Sequence, residues 1–183
     1  MGRGLMRHPK RRGEWVELDF MTRVAGLDLQ VLKPWGDSAR YDVGVERRGW
    51  WRPWKVQVKS TMCLSKGSLR SYVCTVHPNQ NGRAYRRGEF DFLAAYVIPE
   101  DVWYILPAHV VMKGKMNMVI LSPSIPGHRY ERYKEAWHLL MREPGRARLR
   151  KRRWSRKMTR TKLVLGRGRR IPPRLTPRSD KGA

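Results

Sequence analysis

Cysteine is scarce: Cys63 and Cys74 are the only two in 183 residues. That excludes a disulfide framework and a cysteine-built zinc finger, and it suits a reducing cytoplasm. Acidic side chains are scarce as well, 15 Asp+Glu against 40 Lys+Arg, which leaves a formal net charge of +25. No run of about 18 apolar residues occurs, so no transmembrane helix is expected. The basic start MGRGLMRHPKRRG leads into no apolar core of the signal-peptide kind. No internal repeat is evident. What is present suffices for a core: 40% hydrophobic and 10% aromatic residues, at a length that suits one domain and a little more. The charge points to a polyanionic partner, nucleic acid or an anionic membrane surface. A membrane surface is set aside, because no basic amphipathic helix with a strong apolar face accompanies the charge.

The charge is unevenly placed. Residues 142–183 hold 17 Lys+Arg and 2 acids, a net of +15, against +10 for the rest of the chain. That stretch contains Arg150, Lys151, Arg152 and Arg153, with Pro172, Pro173 and Pro177 further on. Few apolar residues recur there at any regular spacing, so it reads as a basic extended tail. A folded domain over 1–141 and a tail over 142–183 is the expected division. The tail is either a solvated extension or a sequence-blind grip on phosphates, and Trp154 either stacks on a base or docks on the core.

Within 1–141, Val16, Phe20 and Val24 recur at helical spacing and predict a helix over Glu14–Ala25, stopped near Gly26. Short strands are expected at Leu29–Leu32, Tyr41–Glu46, Trp50–Ser60, Ser71–Val76, Phe90–Val97 and Val102–Leu106, with turns at Arg47-Arg48-Gly49 and Asn81-Gly82. Pro53 cannot donate to a ladder, so the WWRPW half should be an edge or a bulge. Glu131–Met141 reads as a closing helix. A helix, a run of strands and a helix predict an α/β fold with one central sheet.

The chemistry gathers around that sheet. Gln57 and Lys59 project from one face of their strand, about 7 Å apart. If the preceding strand returns through Arg47-Arg48-Gly49, Asp42 lies near the same face. A carboxylate, an amide oxygen and the Val58 carbonyl form a hard-oxygen set suited to Mg²⁺. Glu17 joins them if the first helix packs beside the sheet. Lys59 would orient or deprotonate water and offset charge on a phosphate, the combination that stabilises phosphodiester displacement. Taken alone, Gln57 and Lys59 are also what the wet face of a half-buried strand would carry.

The segments GEWVELDF, KPWGDSARYDVGVE and WKVQVKS resemble the PD-(D/E)XK nuclease superfamily, in which an acid on one strand precedes acid-x-Lys on the next. The Q-x-K variant, the block KPWGDSARYD and the later segment YRRGEFDFLAAYVIPEDVWYILP are most similar to the group I intron homing endonucleases of that class. The resemblance covers roughly Arg12 to Val111. It implies a restriction-endonuclease-like mixed sheet flanked by helices, and DNA cleavage dependent on Mg²⁺, with Mn²⁺ an alternative. It also implies active-site roles for Asp42, Gln57, Lys59 and Glu17. Glu14, three residues earlier on the same helical face, is the alternative holder of the Glu17 role; Glu17 is preferred because the family's basic-Gly-x-x-x-Glu pattern matches Arg12-Gly13 through Glu17. Gln57 stands where most of the superfamily has a carboxylate, which implies weaker metal affinity or a lost activity; the intron-encoded subgroup tolerates this glutamine, so an active enzyme is the favoured expectation.

Other residues carry paired readings. Arg83, Arg86 and Arg87 around Tyr85 form either a phosphate clamp or a charged surface loop. Trp50, Trp51 and Trp54 form a base-stacking platform or cover a sheet edge or partner interface, with the interface favoured. Asp91 in Phe90-Asp91-Phe92 reads as structural. The five histidines show no ligand spacing, and only His77 near a strand end is worth following. Cleaving both strands of a duplex would favour a homo-oligomer, dimer or tetramer. The competing readings are a non-catalytic DNA- or RNA-binding protein of the same fold, and an RNA-associated basic protein. The expected location is the cytoplasm, on the nucleoid if the source is bacterial.

Overall fold

The structure, a computed structural model, describes residues 8–36, 38–67, 70–76, 85–112 and 118–145. The chain divides into two units, Met1–Ala147 and Arg148–Ala183, and every described residue falls in the first. The turn expected at Asn81-Gly82 lies outside the described residues, as do His77, Arg83, Trp154 and Arg150 to Arg153.

Helix α1 spans Pro9–Ala25, more than a turn longer at its start than the apolar spacing alone indicates. Pro9 at the first turn explains the extension, because its fixed φ suits a helix start and its missing N–H has no helical partner there. Val16, Phe20 and Val24 are buried on one face. Strands β1 (Gln30–Leu32), β2 (Val43–Glu46), β3 (Trp54–Thr61), β5 (Phe92–Val97) and β6 (Val102–Pro107) form one sheet in the order β1-β2-β3-β5-β6. All its pairings are antiparallel except β3 with β5, which is parallel. β2 returns as β3 through the predicted Arg47–Gly49 turn, where Gly49 takes φ +92, a conformation that suits glycine. Strands β4 (Tyr72–Thr75) and β7 (Met118–Leu121) pair as a separate two-stranded sheet. A mixed central sheet flanked by helices is thus the fold, as the sequence predicts.

The sheet is buried on both faces. Val16, Phe20 and Val24 of α1 pack on Val43, Val45, Val56, Val58, Ala94 and Ile105. On the opposite face Leu93, Ala95, Val97, Tyr104 and Leu106 meet Tyr72, Cys74, Val119 and Leu121 of the small sheet. Burial at about 25 cal/mol per Å² of apolar surface makes these two interfaces the main source of stability. Two expectations need correction. The closing helix over Glu131–Met141 is instead two 3₁₀ turns, Glu131–Tyr133 and Trp137–Leu139. Glu135, between them, takes φ +49; its N–H donates to the Trp103 carbonyl at 2.8 Å and its carboxylate accepts from the Trp103 N–H at 2.6 Å. Pairing with β6 therefore overrides the segment's helix propensity. The WWRPW half is neither edge nor bulge of β3: the strand begins at Trp54, just past Pro53, and β3 is the middle strand.

Candidate active site at the end of strand β2

The register decides which side chains meet. Val43 pairs with Val56, so Asp42, one residue before β2, comes opposite Gln57. The Asp42 N–H donates to the Val56 carbonyl at 3.0 Å. Its carboxylate Oδ2 accepts from the Val58 N–H at 2.8 Å and from the Gln57 amide Nε2. The N–H and C=O of one strand residue point the same way. The Val58 carbonyl therefore also points to the β2 side, past the point where that strand ends.

Gln57 is buried, 4% exposed, so a wet-face reading of this strand does not hold. The reason is the sheet's second cover: Gln57 and Lys59 stand in register with Leu93 and Ala95, on the face closed by β4 and β7. Lys59 is close enough to favour the thiolate of buried Cys74, although burial still pushes that thiol up to about 12. Lys59 is in none of the ion pairs among the described residues.

Glu17 reaches the same place from α1. A cleft of about 510 Å³ is lined by Glu17, Lys33, Pro34, Gly36, Ala39, Tyr41 and Asp42. Glu14 is exposed and is not among the residues lining it. Across the cleft Glu17 forms an ion pair with Lys33. Asp42 is raised above the ordinary carboxylate value of 3.8, chiefly by burial. The Val58 N–H opposes that rise, the neighbouring Glu17 charge adds to it, and Lys59 and Lys33 oppose it. Two carboxylates thus share a small cleft, and the one held deeper lacks full compensation from the protein.

The donor set matches a hard divalent cation: two carboxylates, the Gln57 amide oxygen and the Val58 carbonyl. Gln57 now turns its NH₂ toward Asp42, and rotating the amide would present its oxygen instead. Among the described residues no group of three or more His, Cys, Asp or Glu gathers as a metal site, so a cation here depends on the amide and the carbonyl.

Sequence reasoning passed over Lys33 and Tyr41, both inside the KPWGDSARYD block from which only Asp42 was singled out. It also passed over the role of Tyr85. That phenol is pushed up to about 12 by burial and by the Asp42 charge, with the Arg40 guanidinium 5.9 Å over its ring. Arg86 and Arg87 are exposed, and neither lines the Asp42 cleft; the Arg86 N–H donates to Glu89 at 2.9 Å. The tryptophan cluster, read in the sequence as an interface, has contacts within this chain. The Trp51 and Trp54 indole N–H groups donate to the carbonyls of Pro144 at 2.6 Å and Arg142 at 2.8 Å. Arg52 lies 5.2 Å from both rings. The cluster fastens this chain's own later segment. Asp91 is structural as expected: it receives Arg52 at 2.6 and 3.0 Å and the Lys55 N–H at 2.9 Å. No helix among the described residues is long and apolar enough to cross a membrane.

A family model described as PD-(D/E)XK endonuclease matches residues 7–140. Among solved structures, the chain is similar to that of a bacterial homing endonuclease, I-Ssp6803I. The two share 30% identity at a TM-score of 0.61, over 73% of this chain and 93% of that one. No curated protein matches the chain.

Proposed function

The chain belongs to the PD-(D/E)XK endonuclease family, and from that premise we propose that it is a metal-dependent, site-specific DNA endonuclease of the homing type. The observation that carries this reading is the under-compensated Asp42 carboxylate beside Gln57 and Val58, sharing a cleft with Glu17. The family generally uses divalent metal ions, and Mg²⁺ suits this oxygen set, with Mn²⁺ a substitute.

Asp42, Glu17, the Gln57 amide oxygen and the Val58 carbonyl are the groups that would hold the cation. Its contribution when bound is to neutralise phosphate charge and make water a stronger acid. Lys59, beside Asp42 and outside every ion pair among the described residues, orients the attacking water and offsets the charge that grows on the phosphate. Lys33 balances Glu17 and lends the cleft a second cation. Double-stranded DNA is the partner that the neighbour's homing-endonuclease character suggests, and a net charge of +25 would hold it by counterion release. The basic tail, Arg150 to Arg153 included, together with Arg83, Arg86 and Arg87, belongs to that general grip, with 1–141 as the folded domain. Cutting both strands of a duplex favours paired sites, and a homo-oligomer, dimer or tetramer, provides them.

The test is DNA cleavage with and without Mg²⁺, comparing the parent with Asp42→Ala and Lys59→Ala. The substrate should include the gene's own flanking sequence, joined as if uninterrupted, because a site-specific enzyme can ignore arbitrary DNA. Cutting that needs the metal and disappears in both variants supports the reading. A folded parent that binds DNA and never cuts would leave a binding protein with a decayed site, and cutting that survives both substitutions would move the site elsewhere.

A further inference from the structure

Trp35 is 99% exposed, an unusual state for the largest apolar side chain. Its exposure stands out within this molecule. Trp15 packs on Tyr96 at 5.9 Å, Trp103 and Trp137 lie 5.7 Å apart, Trp50 packs against the core, and Trp51 and Trp54 hold backbone carbonyls. Trp35 alone among the described tryptophans stands 99% open to solvent.

Its position gives the exposure a purpose. The residues on both sides of it, Lys33, Pro34 and Gly36, line the cleft that holds Glu17 and Asp42. The loop is tied down where it leaves β1. Lys33 is tied to Glu17 across the cleft, Pro34 has a fixed φ, and Gly36 takes φ +70, a backbone state that suits glycine. An indole two residues past that tie and one past a fixed φ needs less further ordering to bind. A cleft with Lys33 at its rim and Lys59 behind Asp42 suits a phosphate. The group next to a phosphate along a nucleic-acid strand is a sugar with its base, and a flat aromatic face is what a base packs against. Tryptophan at this rim can also wedge against a base step and widen access to the backbone.

We propose that Trp35 is a DNA-contacting residue, packing its indole against a nucleobase that adjoins the phosphate held in the Glu17–Asp42 cleft. The inference rests on the nuclease reading for the location of that phosphate. Because Trp35 touches no core residue that its loss would expose, replacing it leaves the fold intact.

The test uses full-length protein labelled with 5-fluorotryptophan, with Trp35→Phe identifying the Trp35 fluorine resonance. A fluorescein-labelled duplex of the gene's own flanking sequence, joined as if uninterrupted, is added in chelator, so that binding is observed without cutting. Binding should remove the H₂O/D₂O isotope shift of the Trp35 resonance. Trp35→Ala should weaken affinity by on the order of tenfold or more. The slope of affinity against salt should stay the same, because no phosphate contact is lost. An unchanged Trp35 resonance in a complex that anisotropy shows to have formed overturns the inference. Shielding produced by raising protein concentration without DNA overturns it too, since the indole would then serve contact between copies. Cutting assays run in parallel separate the two readings. Trp35 shielded with no metal-dependent cutting sinks the nuclease reading alone, whereas cutting with Trp35 unshielded sinks this inference alone.

Discussion

Asp42 and Asp91 each sit immediately before or within reach of a strand of the same sheet, each partly buried and each bonded to a backbone N–H of β3. Their surroundings differ in kind. Asp91 faces the Arg52 fork, which supplies two hydrogen bonds and a full compensating charge. Asp42 receives only neutral donors, Val58 and Gln57, and shares its cleft with a second carboxylate. The first is a closed account between two side chains and fixes where the Trp51–Trp54 segment joins β5. The second is left short of positive charge by the protein itself. An acid so placed is costly to a fold that does not use it, and groups perturbed in this way gather at functional sites. Half-burial of an aspartate therefore says little here; the nature of its partners separates the two, and on the proposed reading Asp42 is the one that serves chemistry.

Exchanging the roles of the two acids gives the largest effects. Asp42→Ala is expected to lower metal-dependent cutting by about 10³-fold or more while leaving duplex binding nearly intact, read by single-turnover cleavage and anisotropy side by side. Asp91→Ala should do the reverse, leaving the Arg52 charge half-buried and unpaired. Breaking such a pair costs about 3 kcal/mol, given that both partners keep some solvent contact, or a fall of roughly 6–12 °C in Tm. Folded Asp91→Ala protein held well below its Tm should still cut. Equal loss of cutting in both variants would erase the distinction between the two acids.

Which parts of this were legible in the sequence follows from how local each signal is. Asp42 facing Gln57 needed only alternation and the Arg47–Gly49 turn, and the hairpin closes in that register. The burial of Gln57 needed β4 to fold back over β3, a long-range event marked by no residue in WKVQVKS. Strand β7 was missed because Met118–Leu121 is apolar throughout; its alternation of buried Val119 and Leu121 with exposed Met118 and Ile120 exists only once it pairs with β4. The segment Glu131–Met141 misled in the opposite direction. Its helix-forming residues satisfy a local preference that the backbone pairing between Glu135 and Trp103 outweighs. Lys33 and Tyr41 were present in the block that carries the family likeness, yet only the loop's three-dimensional path turns them toward Asp42.

Gln57→Glu sharpens the comparison from the neighbour's side. The present amide donates to Asp42; a carboxylate in its place would repel it in a buried setting. Metal-free protein should therefore lose about 2 kcal/mol, roughly 4–8 °C in Tm. Adding Mg²⁺ should restore more stability to this variant than to the parent, because a carboxylate holds the cation better than an amide. Melting curves in chelator and in Mg²⁺ give both numbers, and a Mg²⁺ response no larger than the parent's would remove Gln57 from the metal-binding set.

The smallest effect concerns Asp42 alone, and its sign is the informative part. The folded carboxyl is raised above its ordinary value of 3.8, so the folded state holds that proton more tightly than the unfolded chain does. Any stability linked to the proton is fully present below 3.8 and is lost as pH rises through the folded value. At neutral pH the parent thus carries an ionised, poorly compensated acid at a cost to the metal-free fold. Asp42→Asn keeps an oxygen for the Val58 N–H and removes the charge. In chelator it should melt above the parent at neutral pH, with the gap closing as pH falls toward 3.8. Mg²⁺ should invert the order, since only the parent regains a counter-charge. A variant less stable than the parent in chelator at neutral pH would mean that Asp42 is held by the fold as Asp91 is, and the contrast between them would fail.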